Sequence, residues 1–270
     1  MTVSTSEQTE LLALAHEMAD AARAAILPFF RQAGLGADNK EEGGFDPVTE
    51  ADRAAERAMR AVLDAKRPQD GILGEEYGHS AGSSGLTWVL DPIDGTRAFI
   101  SGTPTWGVLI ALSDANGPLM GMIDQPYIGE RFVGGFGTAE MRGPMGARAL
   151  ATKPAGPLVD ATLSTTFPEV GTPAERAAFD AVSEAVKLTR FGMDCYAYAL
   201  LAAGQIDLVI EAGLQPYDIQ GPIGVIEAAG GIVTDWNGGP AHQGGRVIAA
   251  ANAEIHAAAL AVLTKNCAES

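Results

Sequence analysis

The chain has 270 residues, 47% of them hydrophobic, and a formal net charge of −16. That length allows one large domain or two packed subdomains with a sizeable core. The acidic balance, with no basic run, argues against a nucleic-acid or anionic-membrane surface, and no apolar run reaches the roughly 18 residues needed to span a bilayer. Cys195 and Cys267 cannot make a disulfide framework, and no basic segment leads into an apolar leader, so a cytoplasmic protein is expected.

In chain order, the spacing of Leu11, Leu12, Ala15, Met18, Ala19, Ala22 and Ile26 predicts a helix from about Ser6 to Gln32. Ser4 with Glu7, or Thr5 with Gln8, is its candidate capping box, and Gly34 and Gly36 its stop. Lys40 to Pro47 reads as a polar, Gly-rich loop. A second helix runs from Thr49 to about Lys66. The residues by themselves favour a capping role for Thr49 and Asp52. Ile72-Leu73 is a short strand that delivers Gly74-Glu75-Glu76, and His79 to Gly85 is a Gly/Ser loop.

Trp88-Val89-Leu90 is an apolar run that reads as a buried strand ending at Asp91, where Pro92 and Gly95 turn the chain. Asp91 and Asp94 then stand at the mouth of that strand. Two ionised carboxylates so placed call for a cation, and all-oxygen donors suit a hard ion such as Mg2+. Gly95 permits close approach of a ligand, and Thr96 opens a helical turn of the kind that holds phosphate. A pair of solvated turn acids fits the same residues equally well.

Strand-like runs follow at Gly107–Leu112, Leu119–Asp124 and Arg131–Gly134, spaced as an antiparallel meander. Gly134 to Gly156 is rich in Gly, Pro and Ala, and the subdomain boundary is placed near its end. The second half alternates. Strands are predicted at Ala161–Thr165, Leu188–Phe191, Asp207–Glu211, Ile232–Asp235 and Val247–Ala250. Helices are predicted at Pro173–Val186, Cys195–Ala203, Pro222–Ala229 and Ala253–Leu263. Such alternation marks α/β packing with ligands at strand ends. Asp218, ahead of Pro222, reads from its own segment as a helix N-cap, and so does Asp194 ahead of Cys195.

Other enzyme classes fit poorly. There is no P-loop and no Gly-x-Ser-x-Gly. The 4 histidines lack metal-ligand spacing, with His16 and His256 on helix surfaces. The Asp-x-x-Asp-Gly spacing is wrong for a phospho-aspartate enzyme.

Asp91-Pro92-Ile93-Asp94-Gly95-Thr96 resembles the signature of the inositol monophosphatase family of metal-dependent phosphatases. Upstream stand the family's Thr-x-x-Asp as Thr49-Glu50-Ala51-Asp52 and its Gly-Glu-Glu as Gly74-Glu75-Glu76. Downstream stands its aromatic-Asp pair as Tyr217-Asp218. All four occur in the family's order across nearly the whole chain. This sequence departs from the pattern in having Tyr217 for the usual Trp and Pro222 for a Gly.

The resemblance implies a layered α-β-α-β-α sandwich, with an α+β subdomain over residues 1–155 and an α/β subdomain over 156–270 that completes the site. It implies hydrolysis of a small-molecule phosphate monoester with two or three Mg2+ ions and no covalent intermediate. Glu75, Asp91 and the Ile93 carbonyl would hold the first ion. Asp91, Asp94 and Asp218 would hold the second, and a third, weaker ion would lie near Glu75. Gly95 and Thr96 would bind the phosphate through backbone N–H groups, and Thr96 and Asp52, with Glu75, would serve the attacking water. Homodimers are common in the family.

Gly192-Met193-Asp194-Cys195-Tyr196 through Glu211, with Pro104-Thr105-Trp106-Gly107, looks most like the histidinol-phosphatase branch. Inositol-specific members usually carry a small residue at the position of Asp194. Asp194 and Glu211 would then face the leaving group and suit a cationic substrate. The alternatives are inositol 1-phosphate, another sugar or nucleotide phosphate, or a non-catalytic, protein-binding regulator.

Overall fold

The computed structural model describes residues 3–32, 38–39 and 47–268. Helix α1 (Thr5–Ile26) starts at Ser4, whose Oγ accepts the Glu7 N–H at 3.3 Å. Its buried stripe of Leu11, Ala15, Met18, Ala22 and Ile26 follows the predicted spacing. It stops short of Gln32 because Pro28 has no N–H with which to continue the ladder. Strands β1 (Asp38–Asn39) and β2 (Pro47–Val48) pair antiparallel. Most of the loop expected over 40–47 lies outside the described residues, as do Gly34 and Gly36. Helix α2 (Glu50–Lys66) opens on a capping box of Thr49 and Asp52.

The larger sheet takes β3 (Gly71–Gly74), β4 (Gly78–Ser80), β5 (Thr87–Asp94), β6 (Gly107–Asp114), β7 (Gly117–Gln125), β8 (Glu130–Gly135), β9 (Thr138–Gly143) and β10 (Gly146–Ala149), with helix α3 (Thr96–Ser101) after β5. Its order is β10-β9-β8-β7-β6-β5-β3-β4, and only β3 and β5 run parallel. The hairpin of β9 and β10 occupies the Gly-, Pro- and Ala-rich text, where no strand is predicted. Strand β10 is exposed along its whole length, so no alternation betrays it.

The smaller sheet takes β11 (Thr162–Thr165), β12 (Leu188–Phe191), β13 (Leu208–Leu214), β14 (Ile232–Asp235) and β15 (Gly245–Ala250), in the order β12-β11-β13-β15-β14. Helices α4 (Pro173–Ala185), α5 (Tyr196–Ala202), α6 (Pro216–Ala228) and α7 (Ala253–Ala268) alternate with them.

The period-2 alternation of the strands sorts these elements into five layers. Val108, Ile110 and Leu112 of β6 face α1 and α2, while Leu109 faces the other way, toward α5 and α6. Val209, Val247 and Ala249 close that middle layer from the smaller sheet, whereas Leu208, Ile210, Ile248 and Ala250 face α4 and α7. The result is the expected α-β-α-β-α sandwich. His16 and His256, expected on helix surfaces, are half buried against Arg131 and Thr234.

Helix α6 is the middle-layer element nearest the site, and it begins earlier than predicted. Pro216, rather than Pro222, occupies its first turn, and Pro222 lies inside the helix. The helix rests on β7 and β8 through glycines. A Cβ on Gly121 would stand 2.0 Å from the Gly221 carbonyl oxygen, and one on Gly134 would stand 2.2 Å from that of Gly224. Backbone therefore touches backbone along this seam. Among the described residues, no helix is long and apolar enough to cross a membrane.

Candidate active site

The site is built first by an irregularity in β5. Asp91 is opposite Leu109 and Asp94 opposite Gly107, so β5 spends one more residue than β6 between these pairs. In a regular strand, residues three apart point to opposite faces. The bulge turns both carboxylates toward the same cleft and accommodates Pro92 within the strand. The strand thus runs on to Asp94 instead of ending at Asp91. The Ile93 N–H donates to Asp91 Oδ1 at 3.0 Å and fixes that carboxylate.

Glu75 arrives from the parallel neighbour. Gly74 of β3 is in register with Leu90 of β5, and the Glu75 N–H donates to the Leu90 carbonyl at 3.1 Å. One step further in both strands brings Glu75 against Asp91, and the two carboxyls hydrogen-bond. Asp218 comes from the other half of the chain. It stands at the third position of α6, where its Oδ2 accepts the Gln215 N–H at 2.7 Å. It is therefore a capping-box partner and not the N-cap.

Carboxylate oxygens of Asp91, Asp94 and Asp218 lie within 4.8 Å of one another. Burial pushes the Asp91 carboxyl well above its ordinary range, and Glu75, Asp94 and Asp218 push it further. Asp94 is raised by burial, then by Asp218 and Asp194, against the opposing Cys195 N–H that donates to it at 2.6 Å. Such a group is stable only with shared protons or a cation. The donors are all hard oxygens, and they fit a hard divalent cation.

Asp52 and Thr96 meet beside this cluster. Asp52 Oδ2 accepts the Thr49 N–H at 2.8 Å and its hydroxyl at 2.5 Å. Its other oxygen lies 3.3 Å from Thr96 Oγ1, which is also 3.1 Å from the Ile93 carbonyl. One residue thus caps α2 and reaches the cleft. Burial is the main cause that raises Asp52 to about 6. Gly95 caps α3 with a φ of 84°, and a Cβ there would stand 2.7 Å from Asp194 Cγ, so glycine is required twice over.

The cleft, about 410 Å3, extends from the cluster to Asp194, Glu211, Phe167, Tyr198 and Tyr217. Asp194 is not the N-cap of α5, a position that Cys195 takes. It adopts a left-handed φ of 46°, and its Oδ2 accepts the Thr105 hydroxyl at 2.9 Å. Glu211 is buried rather than an exposed strand-end acid. It accepts the Thr166 N–H at 2.7 Å and the Thr165 hydroxyl at 3.1 Å. Burial raises the Asp194 carboxyl, opposed first by the Thr105 hydroxyl and then by the Arg97 guanidinium, which stacks on Phe167 4.7 Å from the ring centroid.

Thr165, Thr166, Arg97 and Phe167 escape sequence reasoning, since each acts through a partner distant in the chain. Thr105 alone has a signal, in the Pro104–Gly107 text.

Burial raises Glu211 to about 7 from the ordinary 4.5, with the two threonines opposing. The folded protein therefore holds this proton where the unfolded chain has lost it. Stability from this group is present at low pH and is lost as pH rises from about 4.5 through about 7. The shift corresponds to on the order of 3 kcal/mol. In EDTA, the wild-type Tm should fall across this window more steeply than that of Glu211→Gln. Parallel Tm–pH curves would refute the assignment.

The sequence and the fold both have close parallels. The model of the inositol monophosphatase family matches residues 7–268. The "Bifunctional phosphatase IMPL2, chloroplastic" of Arabidopsis thaliana is 39% identical over 96% of this chain and 76% of its own length. A histidinol-phosphatase of Chlorobaculum parvum is 34% identical over 89% of this chain and 92% of its own. The solved structure of an inositol monophosphatase from Zymomonas mobilis superposes with a TM-score of 0.84 at 40% identity, covering 95% of this chain and 98% of that one.

Proposed function

Because the chain belongs to the inositol monophosphatase family, and is thus a phosphate monoester hydrolase, we propose that it acts on histidinol phosphate. The observation that carries this reading is the buried Glu211, which lines the cleft with Asp194, where the leaving group would lie in this reading. Two acids there suit an ammonium group and an imidazole, and a neutral polyol gains little from them. The relatives named histidinol-phosphatase support the same substrate. The similarity to the Z. mobilis inositol monophosphatase favours inositol 1-phosphate as the second reading.

In this reading Glu75, Asp91 and the Ile93 carbonyl would hold one Mg2+ ion, and Asp91, Asp94 and Asp218 another, with a third near Glu75. When bound, these ions neutralise the phosphate and favour ionisation of the attacking water. The Gly95 and Thr96 N–H groups hold the phosphate oxygens. Thr96 Oγ1 positions the water, and Asp52 accepts the hydrogen bond that orients this hydroxyl. Asp194 and Glu211 hold the leaving group, and Thr105, Thr165 and Thr166 keep these carboxylates in place. Such positioning and charge neutralisation are what phosphoryl transfer requires. Residues 1–155 and 156–270 are inferred to form the two walls of the cleft, and a homodimer is the inferred assembly.

The test is a substrate panel with Mg2+ comparing histidinol phosphate, inositol 1-phosphate, fructose 1,6-bisphosphate and adenosine 3′,5′-bisphosphate. Histidinol phosphate should have the highest kcat/KM, and a preference for inositol 1-phosphate would overturn the substrate assignment. Glu211→Gln should lower kcat/KM for histidinol phosphate roughly ten- to a hundredfold and that for glycerol 2-phosphate much less. With Glu211 at about 7, wild-type kcat/KM for the cationic substrate should also rise through neutral pH. An equal loss on both esters would make Glu211 a support of the fold.

A further inference from the structure

We infer that Glu56 is a positioning residue for the metal centre, acting through the chain turn that presents Glu75. This inference rests on the proposed role of Glu75 as a metal ligand.

Glu56 lies one helical turn beyond Asp52 on α2 and is fully buried. Its Oε2 accepts the Glu76 N–H at 2.7 Å and its Oε1 the Tyr77 N–H at 3.2 Å. These amides belong to the tight turn between β3 and β4, and Glu75 is the first residue of that turn. Arg60, also on α2, balances the charge. Its Nε donates to Glu56 Oε1 at 2.8 Å and its Nη2 to the Gly78 carbonyl at 2.5 Å, at the far side of the same turn. The phenol of Tyr77 accepts Arg57 Nη1 at 2.7 Å. One face of α2 therefore grips the turn from Glu76 to Gly78.

A buried ion pair is costly, and an apolar pair of similar volume often serves stability as well or better. What an apolar residue at position 56 could not do is accept both turn amides. Glu75 is held on one side by the Leu90 carbonyl and on the other by this carboxylate, which fixes the direction in which its side chain leaves the backbone. The neighbouring Gly74 has a matching reason. A Cβ there would stand 1.9 Å from Glu56 Oε1, so the glycine makes room for the carboxylate to reach past β3. Asp52 and Glu56, at i and i+4, then place the water-orienting and metal-binding sides of the site from one rigid element.

The experiment is a Mg2+ titration read by thermal shift, alongside turnover at saturating Mg2+, for wild type, Glu56→Gln, Gly74→Ala and Glu75→Gln. Glu56→Gln keeps the size of the side chain and loses one acceptor. Its Mg2+ dissociation constant should rise about tenfold, the scale for residues that orient metal ligands, while kcat at saturating Mg2+ stays within about threefold. Gly74→Ala retains every charged group and pushes on Glu56, so it should raise the same constant even if Glu56→Gln does not fold. A purely structural role predicts a lower Tm with unchanged Mg2+ affinity in both variants, and that result overturns the inference. If Glu75→Gln also leaves Mg2+ affinity unchanged, the assignment of Glu75 as a ligand fails, and the role of Glu56 fails with it. If only Glu75→Gln weakens binding, the ligand assignment stands and Glu56 is excluded.

Discussion

Replacing Asp91 by asparagine should lower kcat/KM by at least about a thousandfold, or about 4 kcal/mol of transition-state stabilisation. Asp91 is the carboxylate proposed to serve both ions, and it touches Glu75 while lying within 4.8 Å of Asp94 and Asp218. The amide retains an acceptor for the Ile93 N–H, so the backbone of the bulge should survive. Stability should move in the opposite direction. The Asp91 carboxyl is held above its ordinary range by burial and by three neighbouring acids, so in the metal-free protein it opposes folding increasingly as pH rises. Asp91→Asn should therefore melt higher than wild type in EDTA at pH 8 and gain less from added Mg2+. Thermal melts with and without Mg2+, beside turnover, check both halves. Undiminished turnover would refute the two-ion reading.

The second large effect is expected at Asp52. Asp52→Asn should reduce kcat on the order of a hundredfold, the scale of a lost general base or its support, with Mg2+ affinity nearly unchanged. The carboxylate accepts from Thr49 on one oxygen and faces Thr96 Oγ1 on the other. Since Asp52 sits at about 6, the wild-type kcat should fall below that pH as the group protonates, and the variant should lose this limb of the profile. A helix cap alone predicts only lost stability, about 1 kcal/mol, with normal kcat. Tm and a pH–kcat profile on the same preparations tell the two apart.

Much of this arrangement is legible in the sequence where short motifs dictate it. Asp91, Asp94 and Gly95 share one strand end, and the capping signals of Thr49 and Asp52 lie three residues apart. The apolar runs of β6 and β13 are legible as strands, but both of their faces are buried, so which residue faces which layer is set by packing. Other features are set by tertiary context. The bulge between Asp91 and Asp94 depends on β6, which supplies fewer residues opposite, and the strand text alone ends at Asp91. Pro222 reads as a helix start because a proline is disfavoured in a helix interior, yet α6 carries it there. The turn of Glu75 gives no hint of Glu56, since the hydrogen bonds that join them cross from another element. Asp194 and Glu211 have ambiguous local readings, and only burial and their threonine partners set them apart from ordinary caps and surface acids.

The glycine seam beneath α6 has a consequence for how this enzyme can vary. Asp218 reaches the acids of the first half only because the helix that bears it rests directly on β7 and β8. Contact between bare backbones contains no rotamers, so the seat has almost no give, and it fixes the distance from Asp218 to those acids much as a machined face fixes a part. One methyl group at Gly121 or Gly134 would act as a shim. Raising α6 by about 1 Å is enough to cost two orders of magnitude at a centre that depends on alignment. A homologue could thus keep every acid in the cleft and still be inactive, through a substitution in a layer that no ligand touches.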